Sequence, residues 1–592
     1  MSFFQELKRR NVFRVAVAYV IVAWLLLQVG DTLGPALRLP DWFQSGVAYV
    51  LILGFPVAII FAWAFEMTPE GVKRERDVDR SQSITSETGQ KLNYTIIALL
   101  VAAVAYFALD KFVFEHDHGE VVATEDGEPS IAVLPFANMS DDASNEFFAD
   151  GITEELLNLL AKIPELEVTS RTSAFQFKGK EIDIPTVAKQ LNVEHVLEGS
   201  VRKSGMKVRI TAQLIDAGTD KHVWSETYDR ELDDIFAIQD EIARKVVDEL
   251  HVTLLGEAPK TRQTDPEAYA LYLEGLHYLD LDGPKNWPVA QELFEKALVI
   301  DPEYAPAWFG KAQAIRETAN WGDYDIDEGS RLAREWAEHA LDLDPTLTEA
   351  WALLAYLKLS YDWDWAAAEE LVARALESGP NNPAALAEAA RLAQTQGRLD
   401  DAEGYYFAAL AADPLSNTRI REAGVVAWWL QDYGTAEELF RKNEALYPGD
   451  SWPGDMVAVK IMQGRYEEAE ELTERIRTNP RLSDEAQEYI YNFVRAFSFL
   501  YVERRAEAAE GRDLIAEARG DALSYQIAEM YALAGDADKA FEWLDTGFEY
   551  RDGGLTYLLI DPWLASLHDD SRWRPLLEKM NLLDYWDAMP GR

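Results

Sequence analysis

Between about Asp265 and Leu583 an alanine returns at a nearly fixed interval: Ala290, Ala333, Ala368, Ala402, Ala436 and Ala469, then weakly Ala506, then Ala540. Most steps are about 34 residues, and this recurrence restricts the fold more than any other feature of the chain. The first step is longer, and the insert Asn320–Asp327 matches the excess. Proline ends many units, at Pro302, Pro345, Pro380, Pro414, Pro448 and Pro480. Apolar or small residues follow several of the alanines by four and seven positions: Phe294 and Ala297, Ala337 and Ala340, Tyr406 and Ala409. Small residues let two paired helices approach closely, and proline stops a helix and turns the chain to the next unit. One helix pair cannot bury its apolar faces alone, so the units must stack into an α-solenoid. The expected array covers 265–585 in eight units, the seventh of doubtful register, with Asp561–Leu567 and Arg572–Met580 as a terminal cap.

Ahead of the array the period changes. Ser130–Phe136 is a short apolar strand, and Phe147, Phe148, Ile152, Leu156, Leu157 and Leu160 supply one face of a helix running to about Lys162. That helix begins either near Ser140–Asn145 or at Asp150-Gly151. Glu167–Ser170 reads as a strand and Ile184–Leu191 as a helix. His195–Lys203 and Lys207–Asp216 alternate apolar and polar residues and are joined through Ser204-Gly205 as a hairpin. His222–Asp229 is a further strand and Asp233–Leu250 a closing amphipathic helix. The segment 130–255 is therefore expected to be a small α/β domain.

The stretches SIAVLPFANMS (130–140), EFFADGITEELLNLLAKIPELEVTSRTSAFQFKGK (146–180), LEGSVRKSG (197–205) and HVWSETYDRELDDIFAIQDEIA (222–243) resemble the TolB-like domain that accompanies tetratricopeptide arrays. The array itself resembles tetratricopeptide repeats. In the first family the domain is joined to output modules such as nucleotide cyclases and winged-helix regulators. This chain carries neither, so the resemblance implies a sensing or docking part. The second resemblance implies a concave groove that binds peptides or protein segments.

Residues 1–115 read as a membrane module. The run Leu92–Leu109 holds no charged residue, and at about 1.5 Å per residue it covers near 27 Å, enough to cross a hydrocarbon core. Earlier apolar runs give spans at about 13–29 and 47–65, the last at about 92–112. Gly54 and Pro56 predict a kink in the second. A cleaved signal peptide is the competing reading of the first run, but no small-x-small pattern follows it and a second apolar run does. Lys8, Arg9, Arg10 and Arg14 precede the first span, Arg38 alone separates the first two, and Lys73, Arg74, Arg76, Arg80 and Lys91 precede the third. This alternation places the N-terminus in the cytoplasm and everything after Phe112 on the far side, the periplasm of a bacterium. An acidic linker, 116–129, follows.

Composition excludes several chemistries. The chain has no cysteine, so disulfides, thiolate zinc sites, iron–sulfur clusters and cysteine nucleophiles are ruled out. Lysine and arginine number 56 against 103 acidic residues, and 56 − 103 = −47 argues against nucleic-acid binding. Glu146, Asp150 and Glu154 share a helix face if the helix begins early, a spacing that suits acid–base work or a cation, although a solvated face is the commoner outcome. Glu115-His116-Asp117-His118 has metal-ligand types, but four adjacent residues do not wrap an ion without distant help. His195 and His222 sit in strand patterns. Arg171-Thr172-Ser173 follows a strand and suits either an anion or a plain turn. Tyr361–Trp365 and Trp428-Trp429 are groove aromatics or interhelical core. No P-loop, Gly-x-Gly-x-x-Gly or Gly-x-Ser-x-Gly occurs. No catalytic, cofactor-binding or metal residue is assigned and no cofactor is expected.

The reading is thus a multidomain, mainly α chain: three transmembrane helices, a small α/β domain and an α-solenoid of tetratricopeptide repeats. It is expected to be a non-catalytic scaffold of the bacterial inner membrane, binding a protein or peptide partner. The alternative is a receptor subunit without its own output domain.

Overall fold

The computed structural model describes residues 129–589 apart from 141, 143–144, 164, 253–262, 282, 322–323, 449–452, 478–483, 502–504 and 520–522, together with 65–68, 71–74 and a few positions between 16 and 55. The expected spans, the Glu115–His118 cluster and the linker up to residue 128 lie almost wholly outside the described residues. Among the described residues no helix is long and apolar enough to cross a membrane. The chain divides into two compact units, Met1–Thr124 and Glu125–Arg592. In the first, β1 (Phe65–Thr68) and β2 (Gly71–Arg74) form an antiparallel hairpin, so Phe65 opens a strand instead of ending the second span.

The second unit starts with a sheet of β3 (Ser130–Val133), β4 (Ala137–Asn138), β5 (Glu167–Val168), β6 (His195–Ser204), β7 (Lys207–Asp216) and β8 (Lys221–Glu231). The order is β5-β3-β6-β7-β8, with β4 beside β6; β3 runs parallel to both neighbours, and β6, β7 and β8 are antiparallel. Pro135, which has no amide hydrogen, separates β3 from β4 where a single strand is expected. Ser204 pairs with Lys207, so the hairpin turns on Gly205-Met206, one residue later than expected, and Gly205 takes the left-handed φ of 59° that the turn requires.

Alternation assigns the two faces. Ile131, Val133, Leu197 and Val201 point to α1 (Glu146–Ala161) and the closing helix α4 (Ile235–Glu249). Ala132 and Val196 point to the other side, where Val187, Ala188 and Leu191 of α3 (Ile184–Leu191) cover them. Between β5 and α3 lies α2 (Arg171–Phe175), capped by the Ser170 side chain where sequence suggests a turn or an anion site.

Among the described residues eight helix pairs follow: α5 (Pro266–Asp280) with α6 (Trp287–Ile300), α7 (Ala305–Trp321) with α8 (Ile326–Leu343), α9 (Thr348–Leu357) with α10 (Trp365–Ser378), and α11 (Pro383–Thr395) with α12 (Leu399–Ala412). The later four are α13 (Asn417–Trp429) with α14 (Tyr433–Leu446), α15 (Pro453–Met462) with α16 (Tyr466–Ile476), α17 (Asp484–Tyr501) with α18 (Arg505–Arg519), and α19 (Ser524–Ala534) with α20 (Ala537–Glu549). The recurring alanines open or sit early in the second helix of each pair, and Ala290, Ala333, Ala368, Ala402, Ala436 and Ala540 are wholly buried. In the seventh pair Ala508 and Gly511 are buried, and the side chain of Ala506 lies outside the described ones. The insert near Asn320 lengthens α7 and α8. Short 3-10 turns at Gly553–Tyr557 and Pro562–Leu567, then α21 (Trp573–Lys579) and α22 (Leu583–Ala588), end the chain.

The α/β domain and the array share one core. Tyr269, Tyr272 and Leu273 of α5 and Phe294 of α6 continue the cluster formed by α1, α4 and the sheet. Gly151 on α1 permits the approach, because a Cβ there would lie 2.4 Å from Leu273. The Gln239 amide donates to the Tyr269 hydroxyl at 2.8 Å within this core.

Candidate functional site: the inner face of the repeat array

First helices of successive pairs touch one another, as α5 and α7, α9 and α11, α15 and α17, and α17 and α19 do, and two parts of the chain itself occupy this inner, first-helix side. The α/β domain is one. Besides the shared core, it docks on the turn between α12 and α13: the Ser173 hydroxyl donates to Asp413 Oδ1 at 2.6 Å and accepts from the Leu415 amide at 2.8 Å. Ser170 N donates to the Ala412 carbonyl at 2.9 Å, and Gln176 donates to the Tyr447 hydroxyl at 3.1 Å. Leu415 inserts among Phe177, Val187 and Leu191. The domain thus bridges the first pair and the fourth-to-fifth junction.

The three carboxylates aligned in the sequence do share one face of α1, which starts at Glu146. They are neutralised from the α2 segment. Lys178 reaches Glu146 at 2.9 Å and Asp150 at 2.5 Å, and Arg171 takes Glu154 at 3.0 Å and also contacts Asp280 of α5. Burial pushes the Glu154 carboxyl up although Arg171 pulls it down. Arg171 is therefore committed to protein carboxylates, and the set is a dock, with neither a free acid–base pair nor a free anion site. His195 opens β6 with Nδ1 unpartnered, and His222 lies exposed on β8.

The second occupant is the C-terminal segment, which crosses the inner helices. Trp365 Nε1 donates to the Met580 carbonyl at 2.8 Å, and Arg551 donates to the Tyr361 carbonyl at 3.3 Å. Trp563 meets Trp428 of α13 edge-to-face at 5.3 Å and Phe497 of α17 at 4.7 Å, and Tyr557 stacks on Trp429 at 6.0 Å. Leu555, Leu558, Leu559, Leu564 and Leu567 are buried with it. The groove expected to receive a partner is filled along this line by the protein's own cap, because these leucines and tryptophans have no other apolar surface to cover. Trp363 and Trp365 are core, and Asp362, just ahead of them, is held by Arg334 at 2.9 Å.

Between α13, α15, α17, α19 and the cap remains a cavity of about 240 Å³, lined mostly by aromatic and aliphatic side chains, Trp428 and Trp429 among them. Polar groups run beside it along the inner helices. Arg391 on α11 pairs with Glu388 at 3.2 Å and with Glu422 on α13 at 3.4 Å, and Arg421 pairs with Asp455 on α15 at 2.5 Å. Burial raises the Glu388 carboxyl against the pull of Arg391. On α19, burial also raises Glu529, which hydrogen-bonds Asp561 of the cap, and Asp561 accepts from the Tyr525 hydroxyl at 2.7 Å. Two buried carboxyls in contact do not both ionise, so one proton is retained between them. Sequence reasoning missed these groups, although Glu388 and Glu422 stand one repeat period apart and so occupy equivalent positions. Among the described residues no cluster of His, Asp or Glu is arranged to hold a metal ion.

Residues 127–245 match a family model described as the second domain of HilA/YgeH-like transcriptional regulators. Over 222 residues the chain is 40% identical to a Rhizobium meliloti (strain 1021) protein named putative adenylate cyclase 3, a stretch that is 37% of this chain and 38% of that protein. The chain thus spans well under half the length of that relative. Among solved structures, the type IV pilus biogenesis factor PilW is similar over 38% of this chain and 98% of its own, at 19% identity and a TM-score of 0.31. A tetratricopeptide repeat protein from Parabacteroides merdae ATCC 43184 is similar over 46% of this chain and 98% of its own, at 16% identity and a TM-score of 0.32. PilF of Pseudomonas aeruginosa is similar over 38% and 96%, at 19% identity and a TM-score of 0.29.

Proposed function

We propose that the chain is a non-catalytic, membrane-anchored scaffold that binds a protein or peptide partner through its repeat array. The observation that carries the reading is the stack of eight helix pairs, whose first helices present charged and aromatic side chains at equivalent positions of successive units. Such a stack makes an extended surface of repeated chemistry, suited to an extended partner. The α/β domain, held against the array by Ser173 and Asp413, is part of the same surface. Anchoring rests on the three apolar runs, and the alternation of lysine and arginine between them supports a cytoplasmic N-terminus and a periplasmic array of an inner-membrane protein. Tethering to a bilayer raises the effective concentration of any partner held nearby.

A second reading, a sensory subunit that signals through another protein, is favoured by the match of residues 127–245 to a domain of transcriptional regulators and by the cyclase name of the 40%-identical relative. One experiment tests the scaffold reading. Photo-crosslinking residues are placed in intact cells at Arg316 on α7, a first helix whose guanidinium lies over Tyr356 of α9, and at Glu335 on α8, a second helix. Capture of one defined protein from Arg316 alone is expected. Capture from Glu335 alone sinks the inner-face reading.

A further inference from the structure

Strand β8 ends the sheet. It pairs with β7 on one side and, among the described residues, has no strand on the other. Only Trp224, Glu226 and Tyr228 of β8 are wholly or partly covered, so backbone N–H and C=O groups run along an open edge. Edges of this kind are usually blunted by proline, by a bulge or by free charges, which keep other strands away. No proline interrupts β8, and its bulge, where Val223 has no partner on β7, leaves Trp224–Glu231 regular. Two acids of that stretch are tied to their own sheet. Glu226 accepts from the Trp224 indole at 3.3 Å and the Tyr228 hydroxyl at 3.4 Å, and Arg209 forks onto Asp229 at 2.6 and 3.0 Å. Trp224, Thr227 and Tyr228 are of the aromatic and β-branched types that favour strand pairing.

The strand fits a second copy of itself. A two-fold axis normal to the sheet sets two β8 strands antiparallel and keeps inner face beside inner face. Centred on Glu226, Asp229 or Arg230, such a pairing puts two like charges opposite each other. Centred on Tyr228, it brings together two rings that are each turned into their own core and only 2% exposed. Centred on Ser225, it meets the bulge at Val223 after one pair on either side. Centred on Thr227, Arg230 stands opposite Trp224, Glu226 opposite Tyr228, and Ser225 opposite Asp229, and no like charges meet. The Thr211 and Thr227 hydroxyls, 3.1 Å apart, then continue into the same pair of the second copy. The charge of −47 opposes approach, but salt screens it beyond about 8 Å, so complementarity at the edge decides.

We propose that a second copy of this chain pairs its own β8 antiparallel with this one, Thr227 lying on the two-fold axis, so that one sheet runs through both α/β domains. The interface lies on the sheet edge and stands whether or not a partner binds the inner face of the array.

The test uses the full chain in cell membranes. The sequence has no cysteine, so Thr227→Cys introduces a single thiol. Residues directly opposite in an antiparallel pair have Cα atoms about 4.5–5.5 Å apart, within reach of a disulfide. In this register the thiols of Ser225→Cys lie four residues apart along the strand, about 13 Å, and out of reach. Under a mild oxidant Thr227→Cys should give at least about tenfold more disulfide-linked dimer than Ser225→Cys. A second measurement follows co-purification of two differently tagged copies. Thr227 is exposed, so Thr227→Lys and Thr227→Glu leave the core alone. Copies that both carry lysine, or both glutamate, should co-purify about tenfold less than the parent, and a lysine copy with a glutamate copy should recover most of the loss. The proposal is overturned if Thr227→Cys crosslinks no more than Ser225→Cys, or if two lysine copies co-purify as the parent does. Should the mixed pair fail to recover, the cysteine result decides.

Discussion

The Arg421 guanidinium forks onto the Asp455 carboxylate, with Nε 2.5 Å from Oδ2 and Nη2 3.0 Å from Oδ1, across a separation of 34 residues. The repeat period is thus also a bonding distance: equivalent positions of adjacent units reach one another. The same separation links Asp538 to Arg572 at 2.9 Å and Asp545 to Lys579 at 3.1 Å. The cap helix α21 therefore docks on α20 as the second helix of a next unit, with the 3-10 turn Pro562–Leu567 standing where a first helix belongs. Replacing Arg421 with leucine leaves Asp455, only 13% exposed, without its cation. A loss of about 2–4 kcal/mol is expected, with the Asp455 carboxyl, already raised by burial, moving further up. Thermal melts of Arg421→Leu and of the double variant with Asp455→Leu check this. The double variant should lose less than the single one.

A tighter pair lies between the fifth and sixth units. Lys460 Nζ sits 2.5 Å from Glu437 Oε1, with side chains 4% and 8% exposed. Gln463 and Arg465 also donate to Glu437, at 3.0 and 3.1 Å. Burial opposes ionisation of Glu437, but these donors win and hold its carboxyl at about 2. A carboxyl depressed on folding adds stability above its unfolded value near 4.5 and loses it as pH falls through the folded one. Lys460→Met should therefore cost about 3–5 kcal/mol at pH 7 and make acid unfolding begin at higher pH. An acid titration followed by far-ultraviolet circular dichroism reads both effects. No change in the onset would mean that Gln463, Arg465 and Arg441, which also pairs with Glu437, suffice.

What was legible in the sequence followed from local chemistry. The small-residue positions, the prolines and the alternating strands each encode one element or one interface between neighbours, and Ile184–Leu191 and β7 appear at the bounds expected. What stayed hidden involved distant partners. Nothing local in Arg171-Thr172-Ser173 distinguishes an anion site from a dock, because the deciding groups, Asp280 and Asp413, lie far along the chain. Trp365 reads more readily as core than as groove, but nothing near it in the sequence names Met580, whose carbonyl accepts from its indole. The cap's place on the first helices stayed hidden for the same reason: it arrives from the last repeat-like segment.

Ser173 and Asp413 close the arc between the α/β domain and the array. The Ser173 side chain is wholly buried and Asp413 is 5% exposed. Ser173→Ala strips a donor from a buried carboxylate and an acceptor from the Leu415 amide. Each unpaired group costs about 1–3 kcal/mol, so a loss of roughly 2–4 kcal/mol is expected. Its location should be diagnostic. Hydrogen exchange is expected to quicken at residues 412–417 and along α2, while α5 and α6, held by the shared core, stay protected. Uniform loss of protection would show that the two attachments open together.

Glu155 supplies a pH dependence of opposite sign. It stands on α1 where the α/β domain meets the array, and it accepts from the Tyr272 hydroxyl at 3.3 Å. Burial, reinforced by the neighbouring Glu154 charge, pushes its carboxyl up to about 7 from 4.5. The folded state then binds the proton more tightly than the unfolded chain. Its contribution is complete below about 4.5 and is lost as pH rises to about 7. Glu155→Gln keeps an oxygen for Tyr272 and removes the charge. The variant should gain about 1–3 kcal/mol relative to the parent at pH 8 and little at pH 4.5. Melting temperatures of both proteins, taken every half unit between pH 4.5 and 8.5, should diverge steadily across that interval. Parallel curves would place an ionised Glu155 in the folded protein throughout, and with it a solvated junction between sheet and array.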